Sequence, residues 1–515
     1  MKTNLKLKHL NPWKWLSFAW LTLCGMILVG FLYSNLTNLS TNFVSLQILK
    51  PFMGSIVFGI GSMAFASLIG TLIAIYFECY QSSKSSFIKY IFALPLAFPL
   101  YVFSFIYVGA FEYSSWISTA LRGFGMELPS IRNLLGASFI AGLCLYPYVF
   151  LVVSAHLRII YPKYYWASKT LGLSDIQMIS RVLLPALKPS IITGSMLVMF
   201  ESLADFGAVK VLGIETLTTA IYSQWFGMQD FVGGSRLALL LLLIVLFFIF
   251  MQKHFTRDSD IQKIKSIKNI KLVSGKAVLT TAAIFIGLLA ILFPFTQLIA
   301  WVDLEQVIRE FRVNNLFINS LTLAVFGSLI VLLIGIAVAF VNLQDNKSNH
   351  LINLTTYGYA LPGSLIAVAL LVGFKTMFQL SLTNLGIIGL ILALSIRFLT
   401  PAKNYFIQSL GMIPRNSIHT LALSNASPWK SFIKFYWKHI RYTSLLVFFI
   451  VAIEILKEQP AVLLLRPVGF DTLSSRIYNY TSEGQWELAA QPSILLVCIG
   501  VFFVIMLTRI QDRHE

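Results

Sequence analysis

Charged residues are scarce in this sequence: 12% of its 515 residues are Asp, Glu, Lys or Arg, and 57% are apolar. A soluble globular domain carries roughly 25% charged residues, because its surface must face water. This shortage excludes a soluble globular protein. Repeated apolar runs of about 20 residues predict instead an all-α polytopic membrane bundle.

Acidic residues are scarcer than basic ones, with 21 Asp and Glu against 39 Lys and Arg, and the formal net charge is +18. In a soluble protein this excess would indicate a nucleic-acid partner. Here the basic residues collect in the loops predicted on one side of the membrane. The positive-inside rule explains that distribution, so no nucleic-acid partner is predicted.

Cysteine and the common catalytic motifs are also sparse. The four cysteines lie in or beside apolar runs without metal-ligand spacing or a disulfide framework, so we interpret them as packing residues and predict no metal site. The sequence has no phosphate-binding loop of the P-loop type and no nucleophile–base motif. We therefore expect no enzyme, no cofactor bound by this chain and no ATPase site of its own.

The apolar runs predict about twelve spans. A basic stretch over residues 2–14 precedes the first run, 16–32, and a signal peptide is the alternative to an uncleaved span; no small-residue cleavage site follows, which favours the span. The predicted spans begin near residues 16, 52, 88, 134, 190, 235, 277, 316, 353, 384, 443 and 491. The positive-inside rule then places both termini in the cytoplasm, and the Lys-rich stretch 252–276 beside lipid headgroups.

An internal repeat divides the chain. The segment Glu215–Tyr222 recurs as Asp471–Tyr478, with Thr-Leu and Ile-Tyr preserved. Two parallel six-span halves are predicted, residues 1–260 and 261–515, with a pathway at their interface.

Four acidic residues at membrane depth follow the same repeat. Glu201 and Asp205 are four residues apart, which puts them on one helix face, and Glu454 and Glu458 repeat that spacing. Charged groups inside a membrane are costly and usually functional, so these four are the predicted substrate pathway. Hard cations prefer oxygen ligands, which makes a cation the favoured cargo. The alternative is that they cap helix ends or pair with nearby cations, namely Lys210, Lys457 or Arg466.

Two long loops are predicted in the cytoplasm. The first, residues 158–190, predicts a helix over 163–171 that Gly172 ends, then a helix Leu173–Leu184 that Pro185 breaks. The candidate docking residues of this loop are Ala167, Gly172, Leu173, Ile176, Arg181, Leu184 and Pro185, with Lys169 and Arg181 expected to pair with acids on a partner. An ordinary amphipathic helix at the membrane interface is the alternative reading.

The second loop, residues 401–442, is a degraded copy of the first. Asn425 stands at the glycine position, and Ser427 and Pro428 open a helix as N-cap and first residue. Trp429 begins a basic, aromatic stretch that can dock on a partner or lie on headgroups. Trp437-Lys438 replaces the Leu-Pro pair, so docking by this loop is less strongly indicated.

The first loop resembles a motif of ABC importer permeases: Glu-Ala-Ala, three residues, Gly, nine residues, Ile-x-Leu-Pro. Trp166 replaces the Glu. Glu201–Gly207 with Leu217–Tyr222, and Leu456–Pro467 with Phe470–Leu473, look more narrowly like the fused permeases of ferric-iron ABC importers. Gln459 stands where that family usually has Leu.

The resemblance implies a type I permease fold in the bacterial inner membrane. It also implies a separate ATP-binding-cassette ATPase dimer, docked on the coupling loops, and a periplasmic binding protein that delivers ferric iron. Thiamine, a polyamine or another small solute is the alternative cargo within the same class. An ion-driven secondary transporter is the alternative class, and it leaves the two long basic loops unexplained.

Overall fold

The structure is a computed structural model that describes residues 11–37, 46–81, 86–255, 272, 275–313, 315–344, 355–379, 386–414, 417, 421 and 427–512. Every regular element in these ranges is a helix, which confirms the predicted all-α class. Asn425 lies outside the described residues. In chain order the main helices are α1 Pro12–Thr37, α2 Ile48–Tyr80, α3 Leu100–Phe111, α4 Leu134–Thr170, α5 Asp175–Ala204, α6 Phe231–Phe255, α7 Lys276–Trp301, α8 Leu316–Val341, α9 Gly363–Phe378, α10 Ile387–Gly411, α11 Trp429–Lys457 and α12 Trp486–Phe503.

Ten of these helices are long and apolar enough to cross a membrane. The other two, α3 with 12 residues and α9 with 16, are not. A 12-residue helix is roughly 18 Å long, while the bilayer core is about 30 Å thick. Ten continuous spans are therefore found among the described residues, and the spans predicted to begin near residues 88 and 353 are each interrupted, one in each predicted half.

Proline explains both short helices. Pro99 and Pro362 are the N-cap residues of α3 and α9, and each follows a short 3₁₀ turn, Leu94–Ala97 or Thr355–Ala360. Proline has no N–H to donate and its ring obstructs the preceding turn. Both prolines therefore start a new helix instead of kinking a continuous one.

The first long loop is tighter than predicted. Helix α4 runs without a break to Thr170, and Gly172, at φ +69°, ends it as expected. Ser174 then caps α5 through a capping box with Gln177. The predicted separate helices are the ends of two long ones, joined by four residues.

Pro185 does not break α5, contrary to expectation. A π-helical turn, Met178–Leu183, directly precedes it and shifts the backbone hydrogen bonds by one residue, which accommodates the proline ring. The same π turn recurs in α11 at Phe432–Tyr436, where Lys438 takes the place of the proline. The local backbone is thus preserved where the sequence motif is eroded.

The first helix of each predicted half packs on the other half. Helix α1 contacts α8 and α9, while α7 contacts the end of α2 and α3. Glycine permits the closest approach: a Cβ at Gly30 would lie 2.9 Å from the Gly373 carbonyl oxygen, and one at Gly373 would lie 2.6 Å from the Ile27 oxygen. The two large apolar clusters of the described residues each contain side chains from both predicted halves.

The sequence repeat is built with matching hydrogen bonds. The Leu217 N–H donates to Ser55 Oγ at 2.8 Å, and the Leu473 N–H donates to Ser320 Oγ at 2.8 Å. These bonds fix the short helices Leu217–Tyr222 and Leu473–Ser482 against α2 and α8. Two further bonds match: Thr218 Oγ1 donates to the Asp205 carbonyl at 3.1 Å, and Ser474 Oγ to the Glu458 carbonyl at 3.0 Å.

Candidate functional site

The four predicted acids line one cavity. Glu201 lies in the last turn of α5 and Asp205 directly follows that helix; Glu454 and Glu458 occupy the same places on α11. The cavity wall is completed by the start of α3 and by α4 and α10, through Tyr101, Tyr148 and Arg397. The structure thus brings together residues from both predicted halves.

Glu458 forms a buried ion pair with Arg397. The guanidinium Nη1 lies 3.2 Å from Glu458 Oε1, and both side chains are almost fully buried. Glu458 Oε1 also accepts the Ala461 N–H at 3.3 Å. The backbone of Glu458 is extended, so its side chain leaves the direction of α11 and does not pair with the neighbouring Lys457.

Asp205 caps a short helix. Its Oδ1 accepts the Ala208 N–H at 2.6 Å, at the start of the helix Gly207–Val211. Glu458 has the matching role for the helix Pro460–Leu465. The alternative that these acids cap helix ends therefore applies to Asp205 and Glu458, and both still line the cavity.

Lys457 connects the two predicted halves across the cavity. Its Nζ lies 3.9 Å from Glu454 Oε1, one turn back on α11, and donates to the Leu96 carbonyl oxygen at 2.5 Å. On the other side, Glu201 lies near the Tyr359 hydroxyl, a group that can donate a hydrogen bond to its carboxylate. The four carboxylates are therefore not equivalent, because each has a different partner.

Aromatic rings of both halves meet beside the cavity. Tyr222 and Tyr478, which occupy equivalent places in the repeat, have ring centroids 5.9 Å apart. Phe206, next to Asp205, lies 4.6 Å from the Tyr222 ring and 5.3 Å from the Tyr478 ring. The two repeated segments therefore pack against each other through these three rings.

Sequence reasoning missed Arg397 and the cavity tyrosines. Arg397 stands alone as a charged residue in the apolar run of α10, and a charge at membrane depth is a signal of function or of a buried pair. Nothing in the local sequence distinguishes Tyr101 or Tyr148 from interfacial tyrosines. Among the described residues, no group of three or more His, Cys, Asp or Glu side chains is arranged to hold a metal ion.

The first predicted docking loop presents an apolar surface. Ile176 is 66% exposed, and Trp166 and Leu171 are also exposed, while Leu173 and Leu184 are half-buried. Ala167, Arg181 and Pro185 are exposed as well. Lys169 forms an ion pair with Asp175 of the same loop, with Nζ 2.7 Å from Oδ1.

The second loop is described from Ser427 onward. Ser427 Oγ accepts the Lys430 N–H at 3.4 Å, and Pro428 is the first helical residue, as predicted. Trp429 is 66% exposed. The stretch packs on α1, where the ring of Trp13 lies 4.9 Å from that of Phe432 and 6.4 Å from that of Trp429.

Comparison with known proteins identifies one family and several relatives. Residues 66–260 match the family described as "Binding-protein-dependent transport system inner membrane component". The chain is 26% identical over 467 residues to the Fe(3+)-transport system permease protein FbpB 2 of Haemophilus influenzae, covering 86% of each chain. It is 23% identical to the ferric transport system permease protein FbpB of Actinobacillus pleuropneumoniae, over 84% of this chain and 68% of the relative.

Other relatives are named for the transport of a different substrate. The sulfate transport system permease protein CysT of Salmonella typhimurium is 24% identical over 223 residues, which is 41% of this chain and 79% of the relative. No solved structure gives a significant match.

Proposed function

This chain is an ABC importer permease of the binding-protein-dependent family, and on that premise we propose that it carries ferric iron across the bacterial inner membrane. The observation that carries the proposal is the single cavity lined by Glu201, Asp205, Glu454 and Glu458, in a chain whose relatives named for ferric transport match over most of its length. Ferric iron is a hard cation, and hard cations prefer oxygen donors.

The proposal includes two partners. An ATP-binding-cassette ATPase dimer docks on the exposed apolar residues of the first loop, such as Ile176, and with weaker support on Trp429 of the second. A periplasmic binding protein delivers the cargo from the other side. The chain itself binds no cofactor, and ATP is hydrolysed by the partner.

Alternating access then follows from population shift. ATP favours the closed ATPase dimer, the docked loops move with it, and the cavity turns toward the periplasm. The distribution of Lys and Arg supports a topology with both termini in the cytoplasm. The lipid bilayer surrounds the ten long apolar helices.

Sulfate is the second candidate cargo, because several relatives are named sulfate permeases and because Arg397 and Lys457 line the same cavity. Four carboxylates against two cations favour a cation over a dianion on electrostatic grounds. Within the same transporter class, thiamine and polyamines are further cargos that uptake measurements separate.

Uptake in a deletion strain tests the proposal. Cells lacking the gene are complemented with the parent chain or with Glu201→Gln/Glu454→Gln, and uptake of radiolabelled ferric iron and of radiolabelled sulfate is followed. We expect the parent to restore iron uptake alone and the double variant to reduce it at least tenfold at equal expression. A matched control, Glu127→Gln/Glu483→Gln, removes two exposed acids outside the cavity. Restoration of sulfate uptake instead of iron uptake refutes the proposal.

A further inference from the structure

The cavity contains hydrogen-bond donors as well as carboxylates. Tyr101 and Arg397 both line it and are only 4% and 6% exposed. The Tyr101 hydroxyl and the Arg397 Nε–H have no hydrogen-bond partner among the described residues. Buried donors without partners are rare in folded proteins, because each costs about 1–3 kcal/mol, so such a group in a cavity wall points to a ligand that accepts its hydrogen bond.

A bare cation does not meet this requirement. A metal ion interacts with carboxylates but cannot accept a hydrogen bond from the hydroxyl of Tyr101 or the guanidinium of Arg397. An oxygen-rich anion can accept both, and arginine is well suited to carboxylate and phosphate oxygens. The Nζ of Lys457, in the same wall, adds a further positive group.

The charges of the cavity point the same way. Each of its two bases lies beside an acid: Arg397 is paired with Glu458, and Lys457 Nζ lies 3.9 Å from Glu454 Oε1. Such a surface fits a ligand that carries both signs of charge. Such a ligand also costs less to desolvate, because a metal ion neutralised by an anion leaves water more easily than the free trivalent ion.

We propose that the cavity binds ferric iron together with an oxygen-rich anion, a phosphate or a polycarboxylate, that remains bound to the metal during transport. The carboxylates of Glu201 and Glu454 face the metal, while Tyr101 and Arg397 donate hydrogen bonds to the anion. This inference rests on the proposed function and specifies the chemical form of its cargo.

Double-label transport tests it. The full importer, with its ATPase and its binding protein, is reconstituted in vesicles and supplied with radioactive iron as the complex with ¹⁴C-labelled citrate or with ³²P-labelled pyrophosphate. The two complexes separate the two sources of anionic oxygen. We expect ATP-dependent entry of iron and of at least one anion in a constant ratio, and no entry of either anion without iron.

The possible results separate the two proposals. Iron that enters without either labelled anion overturns the present inference and leaves the ferric permease intact. Anion that enters without iron overturns the inference as well. Failure of iron to enter from any complex, while the vesicles hydrolyse ATP, overturns the proposed function itself.

A conservative variant links the effect to the cavity. Tyr101→Phe keeps the ring and removes only the hydroxyl, so we expect the KM for the co-imported complex to rise roughly fivefold, the size of one neutral hydrogen bond. The matched control is Ser104→Ala, which removes another buried, unpartnered hydroxyl of α3 that does not line the cavity. Equal KM values for the parent, the variant and the control would contradict the proposed contact.

Discussion

At the scale of single residues, the cavity depends on one buried ion pair and the glycine beside it. Arg397 and Glu458 are buried together, and a Cβ at Gly363 would lie 2.0 Å from Glu458 Oε1 and 2.8 Å from Arg397 Nη1. Gly363 is also the first residue of α9, directly after Pro362. The break in the span and the ion pair are therefore parts of one local arrangement.

Breaking this pair should destabilise the protein more than removing it. Arg397→Met or Glu458→Gln leaves a buried group without its partner, which typically costs about 3–5 kcal/mol, whereas replacing both members is often nearly neutral. We expect the melting temperature in detergent to fall clearly in each single variant and to recover in the double variant. A double variant whose loss of stability equals the sum of the two single losses would show that the pair is not coupled.

At the scale of elements, equivalent short helices are held by equivalent bonds. Ser55 on α2 and Ser320 on α8 each accept the first backbone N–H of a repeated helix, both at 2.8 Å. The π turns in α5 and α11 repeat in the same way. At these places the backbone geometry repeats between the predicted halves, even where Lys438 stands in the place of Pro185.

The two serine bonds provide a test of this equivalence. Ser55→Ala and Ser320→Ala each leave a buried N–H unpaired, which costs about 1–3 kcal/mol. We expect similar losses of thermal stability in the two single variants and an additive loss in the double variant, measured by thermal unfolding in detergent. Ser67→Ala is the control, since the Ser67 hydroxyl only donates to a carbonyl within its own helix. A loss confined to one half would contradict the equivalence.

We expect the two docking loops to contribute unequally to binding of the ATPase. Ile176→Ser removes an exposed apolar side chain from the first loop, and Trp429→Ser does the same in the second. Because Trp429 belongs to the eroded copy, we expect the first variant to abolish co-purification of the ATPase and the second to reduce it partly.

The control for this comparison is Val468→Ser, which changes a fully exposed residue on the opposite side of the membrane in the proposed topology. It should leave ATPase binding unchanged. Full ATPase binding by the Ile176 variant would show that the first loop is not part of the docking interface.

At the scale of the whole molecule, the halves meet beside the cavity and interlock at their edges. Tyr222 and Tyr478 are in contact, and Lys457 reaches across to the Leu96 carbonyl. Helices α1 and α7 each pack on the opposite half. In the proposed alternating-access cycle, the first set of contacts separates when the cavity opens toward one side, while the crossed helices keep the predicted halves together.

Cross-linking tests that separation. In a background without the four native cysteines, Tyr222→Cys/Tyr478→Cys should be joined by a short bifunctional reagent in the absence of ATP, and the joined protein should stop uptake until the link is cleaved. Each single variant is the control. Uptake that continues at the parent rate after complete cross-linking would show that these rings do not separate during transport.

Much of this protein was predictable from its sequence. The scarcity of charge determined an all-α membrane protein, because only helices with internally satisfied backbones persist in such apolar runs. The repeat of Glu215–Tyr222 at Asp471–Tyr478 indicated equivalent segments, and Gly172 was correctly predicted to end a helix. These features depend on composition and local backbone preference, which a sequence carries directly.

Only the tertiary structure decided what surrounds the acids. Arg397 is 61 residues from Glu458 in the chain, and Lys457 bonds to a carbonyl 361 residues away, so no local pattern could assign these partners. The continuity of α5 through Pro185 depends on a π turn that the sequence does not mark. Long-range contacts therefore determine which carboxylates are neutralised, and that choice sets the chemistry of the cavity.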